Sequence, residues 1–73
     1  MTDEEAALLI LGSFKRRNTR IGEIEMQGAV YGDFTGAKWN AGLDYGLDQK
    51  WWERTGGAAL RLLDAGYQKI GDL

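Results

Sequence analysis

Neither cysteine nor histidine occurs among the 73 residues of this chain. Disulfides and thiolate metal sites, which hold many small domains together, are therefore excluded, and the commonest metal ligand is missing as well. A chain this short buries only about 60% of the surface that it exposes when unfolded. We therefore predict one domain that spans residues 1–73 and is stabilised by packing around a single core.

The residue types that carry most enzymatic chemistry are missing or unsuitably placed. Without histidine the chain lacks the commonest general base. Asp44 and Asp48 are one helical turn apart on a face expected to be exposed, where both carboxylates stay ionised. The glycines at 28 and 32 lack the lysine and hydroxyl residue of a phosphate-binding loop. The sequence therefore predicts a protein that is not an enzyme and takes no metal and no cofactor.

No segment of the sequence has the character of a membrane span or a leader. The longest apolar run, residues 6–11, is far too short to cross a bilayer. Charged residues follow it, and no cleavage-site pattern is present, so it does not resemble a signal peptide. We expect a cytoplasmic protein with no membrane partner.

The first helix has a clear beginning and end. Thr2 followed by Glu5 is the pattern of a capping box, and apolar residues then recur every three or four positions. These signals predict a helix over residues 3–17. A run of cations at its end suits the helix dipole and continues into the connector over residues 18–21. This basic cluster consists of Lys15, Arg16, Arg17 and Arg20.

Residues 22–31 fit two kinds of secondary structure. Residues 24–27 alternate between apolar and polar side chains, as a strand does, whereas Met26 and Ala29 belong to a stripe with helical spacing. The glycine at position 28 weakens either element. We predict a helix over residues 22–31, because the segment that follows is better placed after a helix than after a strand.

A third helix is predicted over residues 36–50, after a turn over residues 32–36 in which Thr35 is the N-cap. On a helical wheel one face of this helix is apolar, and the glycine on it predicts the close approach of another helix. The residues of this core face are Trp39, Leu43, Gly46 and Leu47.

The C-terminal third reads as a β-hairpin. A strand over residues 51–55, a two-glycine turn at 56–57 and a returning strand over 58–63 follow one another. A short helical turn over residues 64–67 closes the chain. Alternation along the first strand implies that one of its two tryptophans points inward and the other outward. Two further side chains are expected to pack inward: Tyr67 and Ile70.

Several of these segments resemble bacterial regulators of the winged helix-turn-helix superfamily. Residues 43–54 are similar to a recognition helix that runs into the first wing strand, with Lys50 where a glycine usually stops the helix. Residues 60–67 are similar to the second wing strand and its closing turn, and residues 22–24 to the start of the second helix. The resemblance covers residues 20–70. It implies an α+β, mainly α fold with three helices and a short hairpin, and a DNA-binding role in transcription regulation.

In that reading the helix over residues 36–50 enters the major groove of double-stranded DNA, and the protein binds as a dimer. The basic cluster holds backbone phosphates, although it also fits a solvated helix end. Lysine and glutamine can read base edges, and tyrosine can reach a phosphate. The candidate DNA-binding residues are Lys15, Arg16, Arg17, Arg20, Lys38, Tyr45, Gln49 and Arg54.

The charge balance favours a second function. The net charge is −2, and Asp44 and Asp48 lie on or beside the face that would meet DNA. A winged-helix module can instead bind a protein partner or a second copy of itself without contacting nucleic acid. The candidate residues for such an interface are Trp52, as the outward member of the tryptophan pair, and Tyr45.

Overall fold

The structure, a computed structural model, describes residues 1–33 and 38–73, with Asp33 described by its backbone alone. Within these residues the fold is α+β and mainly helical, as predicted, with four helices and a three-stranded antiparallel sheet. None of these helices has the length and apolar character needed to cross a membrane. The elements are α1 (Asp3–Arg16), β1 (Ile24–Met26), α2 (Gln27–Asp33), α3 (Trp39–Asp48), β2 (Trp52–Thr55), β3 (Ala59–Leu62) and α4 (Asp64–Gly71).

The sheet has β3 at its centre, between β1 and β2. Glu25 of β1 is paired with Leu60 of β3, and Leu62 is paired with Trp52 of β2. Helices α1 and α3 pack against one another, and their buried side chains share one core with those of β2 and β3. The buried core lies between them and is formed by Ala6, Ala7, Ile10, Leu11, Phe14, Val30, Leu43, Trp51, Trp52, Leu60 and Leu62.

Helix α1 confirms the predicted boundaries to within one residue. The Thr2 hydroxyl accepts from the Glu5 N–H at 3.1 Å, and the Glu5 carboxylate accepts from the Thr2 N–H at 2.7 Å. The hydrogen bond from the Thr2 backbone also lowers the pKa of Glu5. At the other end Asn18 has a φ of 56°, and the Thr19 N–H donates to the Phe14 carbonyl at 3.1 Å. This Schellman cap ends the helix abruptly and turns the chain toward the sheet.

The prediction of a helix over residues 22–31 is wrong for its first half. Gly22 has a left-handed φ of 84°, and residues 24–26 form the edge strand β1. Helix α2 begins only at Gln27 and extends to Asp33, so Gly32 lies in a helix and not in the predicted turn. The backbone of this segment finds its hydrogen-bond partners on β3, more than thirty residues later, which local periodicity does not reveal.

Helix α3 begins in the structure at Trp39, and the predicted start at Gly36 with Thr35 as N-cap lies outside the described residues. The predicted core face is confirmed, with Leu43 buried and Trp39 partly buried against the core. The helix ends at Asp48, two residues earlier than predicted, because the chain leaves the helical conformation at position 50.

Lys50 has a φ of 63°, in the left-handed region that glycine normally occupies at a helix C-terminus. It forms a second Schellman cap, in which the Trp51 N–H donates to the Gly46 carbonyl at 2.9 Å. A side chain with a Cβ costs about 1 kcal/mol in this conformation. We expect Lys50→Gly to raise the free energy of unfolding by up to about 1 kcal/mol in urea denaturation, and Lys50→Ala to give no such gain. Equal stability of the two variants would contradict the prediction.

The hairpin is confirmed, but its turn is longer than predicted. Thr55 pairs directly with Ala59, so three residues connect the strands. Gly57 and Ala58 have φ angles of 78° and 57°, which removes Ala58 from the returning strand. The closing turn over residues 64–67 is the first half of a full helix, α4.

The inward packing predicted for the end of the chain is correct at one position only. Ile70 is partly buried against the core, whereas Tyr67 is 44% exposed. Because the chain forms two turns of helix in place of one short turn, the ring lies beside the end of α1 and not in the core. The prediction that Tyr67 packs inward is therefore wrong.

Both adjacent tryptophans are buried, so the prediction that one of them points outward is wrong. Trp51 is 7% exposed and Trp52 is 1% exposed. Strand alternation does not apply to the pair, because β2 begins only at Trp52. The Trp52 Nε1–H donates to the Leu43 carbonyl at 3.1 Å, and its ring stacks on Phe14 with centroids 5.9 Å apart. A side chain held in this way is not a surface anchor for a partner.

The close approach predicted at Gly46 is real, but the neighbour is a side chain and not a helix. A Cβ at Gly46 would overlap the six-membered ring of Trp52. The helix contact occurs one turn earlier, at Gly42, where a Cβ would lie 2.8 Å from the Cβ of Ala6 in α1. Two glycines on one face therefore let α3 fit both against α1 and over the buried tryptophan.

Candidate nucleic-acid interface

Four cations are grouped where α1 ends, and we call this group the basic end: Lys15, Arg16, Arg17 and Arg20. Lys15 and Arg16 belong to the last turn of α1, and the Schellman cap at Asn18 brings Arg20 back beside them. All four residues are exposed. Between them Thr19 is buried and donates its hydroxyl to the Glu25 carboxylate at 2.8 Å, which anchors the connector to β1.

The basic end is connected to three other parts of the fold. The Lys15 ammonium donates to the Leu73 carbonyl, beyond α4, at 2.9 Å. The Arg17 guanidinium donates to the Ala29 carbonyl of α2 at 3.2 Å. The Arg20 backbone N–H donates to the Glu23 carboxylate at 2.8 Å. These cations therefore occupy a junction of several elements, and not a frayed helix end.

Two adjoining grooves lie at the basic end, and Asn18 and Arg20 line both of them. The first groove runs between the end of α1 and α4 and has a volume of about 490 Å³. The residues that line it are Lys15, Asn18, Thr19, Arg20, Tyr67, Ile70 and Gly71. The second groove runs along β1, and its walls include Arg17, Glu23, Glu25 and Arg61.

The two grooves differ in charge. The charged residues that line the first groove, Lys15 and Arg20, are both cations. The arginines of the second groove share it with two carboxylates, and Arg61 is also paired with Glu53 at 3.0 Å. An anion therefore meets fewer opposing charges in the first groove.

The other predicted DNA contacts lie elsewhere. Lys38 pairs with Asp3 at 3.2 Å, and the Tyr45 hydroxyl donates to the Glu4 carboxylate at 3.4 Å. These partners belong to the first turn of α1, about 20 Å along the helix from the basic end. Arg54 faces Asp44 of α3 at 3.6 Å. The structure therefore does not unite the eight candidates on one surface.

The prediction of Tyr45 as a DNA-contacting or interface residue expects an exposed side chain, and this expectation is wrong. The side chain is half-buried, with its ring against Trp51 at a centroid distance of 5.6 Å. Burial, together with the neighbouring charge of Glu4, raises the pKa of the Tyr45 hydroxyl. Gln49 is exposed at the end of α3, beside Asp48.

Sequence reasoning missed two features of this end of the molecule. Tyr67 enters the first groove only because α4 packs on α1, a contact with no local signal. Ile24 and Met26 are about half exposed, whereas Glu25 between them is partly buried. The alternation that indicated a strand was therefore a genuine signal, although its apolar members face outward.

Among residues 1–33 and 38–73 no group of histidine, cysteine, aspartate or glutamate side chains is arranged to hold a metal ion. Comparisons of the chain with protein-family models, with curated proteins and with solved structures found no match.

Proposed function

We propose that the chain is a winged-helix domain that binds DNA, and that the basic end is its main contact with the phosphate backbone. The order of elements supports the fold: a helix, a short strand, two helices, a hairpin and a closing segment. The resemblance to winged-helix regulators implies three helices followed by a hairpin, and these elements occur here in that order. The strand β1, which lies where the second helix is expected to begin, and the full helix α4 are additions to the implied order.

One observation carries the function: four exposed cations lie within six residues in a chain whose net charge is −2. Helix-dipole stabilisation involves only the last turn of α1 and gives no reason for Arg20. Phosphate contacts by lysine and arginine supply most of the non-specific affinity of DNA-binding proteins. A concentrated positive field of this kind also steers a duplex toward one end of an otherwise acidic molecule.

Helix α3 is the less favoured contact, although the resemblance assigns it to the major groove. Its exposed surface carries Asp44 and Asp48, and carboxylates near phosphates are repelled. Arg54 offsets only the first of them, at 3.6 Å. In the proposed mode α3 therefore lies beside the duplex or away from it, and the basic end determines the affinity.

The test is the salt dependence of binding to a labelled random-sequence duplex, followed by fluorescence anisotropy. If all four cations of the basic end contact phosphates, a plot of log affinity against log salt has a slope of about −3.6. The double variant Arg16→Gln/Arg20→Gln is expected to reduce the slope by about half, because two of the contacts are lost. It leaves the Lys15 and Arg17 hydrogen bonds to the fold in place.

The matched control is Lys38→Gln/Arg54→Gln, which removes the same amount of charge from the other end of the molecule. This variant should keep the wild-type slope. Equal losses in the two double variants would mean that net charge alone determines binding. Absence of binding at low salt would reject the DNA-binding function.

A specific observation favours protein binding as the second candidate function. Ile24 and Met26 of the edge strand β1 are each about half exposed, and so is Ile21 in the turn before it. Apolar side chains beside an unpaired strand edge are typical of surfaces that accept another chain. This function becomes the preferred one if the duplex titration fails.

A further inference from the structure

We infer that the groove between α1 and α4 holds an unpaired nucleotide, with its base on the ring of Tyr67 and its phosphate at Lys15 and Arg20. The inference rests on the proposed function and deepens it. It names single-stranded nucleic acid, or the unpaired end of a duplex, as the preferred ligand of the basic end.

Tyr67 lies where its ring can receive a base. Its side chain is 44% exposed and lines a groove that also contains Lys15 and Arg20. Ile70, one turn along α4, lines the same groove and is partly buried against the core. An exposed aromatic ring next to cations is the arrangement on which proteins stack the bases of single strands.

Tyr31 is even more exposed than Tyr67, but it lies outside the groove. The ring of Tyr31 packs edge-to-face against Trp39, with centroids 5.2 Å apart, and it does not line the cationic groove. Exposure alone therefore does not single out Tyr67. The combination of an exposed ring and two nearby cations does.

Lys15 and Arg20 provide the hydrogen-bond donors for the phosphate. The Lys15 ammonium is held at the groove by its hydrogen bond to the Leu73 carbonyl at 2.9 Å, and an ammonium has three N–H donors. Arg20 lines the same groove and carries a planar guanidinium, whose fork of donors matches phosphate oxygens. The side-chain carboxylates of Glu23 and Glu25 line the second groove and not this one.

The volume of the groove and the accessibility of base faces both favour an unpaired nucleotide. A volume of about 490 Å³ lies within the range of small-ligand sites, roughly 300–1,000 Å³. The bases of an intact duplex are stacked on one another, so their faces are not available to a tyrosine ring. Only an unpaired nucleotide can use the ring and the cations together.

The test compares the binding of a labelled oligothymidine strand and of a blunt duplex of the same length by fluorescence anisotropy at low salt. We expect Tyr67→Leu to weaken oligothymidine binding by about tenfold, since one stacked base is lost. Tyr67→Phe should bind like the wild type, because the ring is kept. Tyr31→Leu, which removes an exposed ring outside the groove, should also bind like the wild type. For all variants the affinity for the duplex should be unchanged.

Different results would reject the nucleotide site and the DNA-binding function. If Tyr67→Leu binds oligothymidine as well as the wild type does, the nucleotide site is rejected while duplex binding by the basic end stands. The nucleotide site is also rejected if Tyr67→Leu weakens binding to the duplex as much as binding to oligothymidine, because the loss is then not caused by stacking on an unpaired base. Absence of binding to both probes rejects the DNA-binding function itself. Circular dichroism of each variant separates these results from unfolding.

Discussion

Gly46→Ala is expected to lower the free energy of unfolding by about 3 kcal/mol, although alanine normally favours a helix over glycine. A methyl group at this position would overlap the six-membered ring of Trp52. The ring has no space to move into, because it is 1% exposed and stacks on Phe14. Its Nε1–H is also bonded to the Leu43 carbonyl, so a shift breaks a buried hydrogen bond. Urea denaturation followed by circular dichroism gives the measurement.

The matched control is Gly12→Ala, within α1. A Cβ at Gly12 would meet only the end of the Arg16 side chain, at 3.6 Å, which is an ordinary contact. This variant is expected to be more stable than the wild type by roughly 0.5–1 kcal/mol, since it gains helix propensity alone. The two substitutions are chemically identical, so opposite signs isolate the packing of the tryptophan ring.

A double variant keeps the test informative if Gly46→Ala does not fold. Trp52→Leu removes the ring that the new methyl group would overlap, at the cost of a large loss of buried surface. Gly46→Ala/Trp52→Leu should therefore be less destabilised than the sum of its two single changes. Additive effects, or a wild-type stability for Gly46→Ala, would contradict the proposed overlap.

The elements that the sequence predicts well have local causes. Helix α1 is specified by a capping box, a regular apolar stripe and cations at its end, all within residues 2–17. The core face of α3 and the hairpin follow from periodicity and from two adjacent glycines. In these segments local preference and final structure agree, so reading the chain piece by piece is sufficient.

The misassigned segments depend on distant partners. Strand β1 is only three residues long, and its pairing with β3 is what makes it a strand. Trp51 is buried because Gly66 of α4 and the ring of Tyr45 lie against it. The pairing of β1 with β3 and the contact of Trp51 with Gly66 join residues far apart in the chain, so local periodicity does not reveal them.

The residues of the candidate site also divide into those that the sequence alone identifies and those whose role depends on distant partners. The basic end was visible as a run of charge, and its members remain exposed neighbours in the fold. Lys38 and Tyr45 were also candidates because of their side-chain chemistry. In the fold, Lys38 pairs with Asp3 and the Tyr45 hydroxyl donates to Glu4, both at the start of α1. The partner of a surface charge is decided by tertiary packing, which composition does not report.

The packing of α4 leads to the second large effect, which we expect for Gly66→Ala. A Cβ at Gly66 would overlap the backbone carbonyl oxygen of Trp51 and lie 3.0 Å from a methyl carbon of Leu62. This carbonyl accepts from the Leu63 N–H at 3.0 Å and is therefore held at the edge of the sheet. Because backbone atoms cannot rotate aside, the helix itself must move, and we expect a loss of about 2 kcal/mol. Gly71→Ala, in the same helix and with open space around it, should change the stability by less than about 0.5 kcal/mol.

The displacement of α4 has a consequence for binding that a general loss of stability does not have. Tyr67 and Ile70 reach the first groove only through this helix, whereas the basic end belongs to α1 and its connector. Gly66→Ala should therefore lose the preference for oligothymidine, while duplex binding and its salt dependence remain. Hydrogen exchange should show faster exchange of the α4 amides, with α1 and α3 still protected. If the oligothymidine preference survives a displaced α4, the groove is not the site of the unpaired nucleotide, and the ring of Tyr67 has no part in binding.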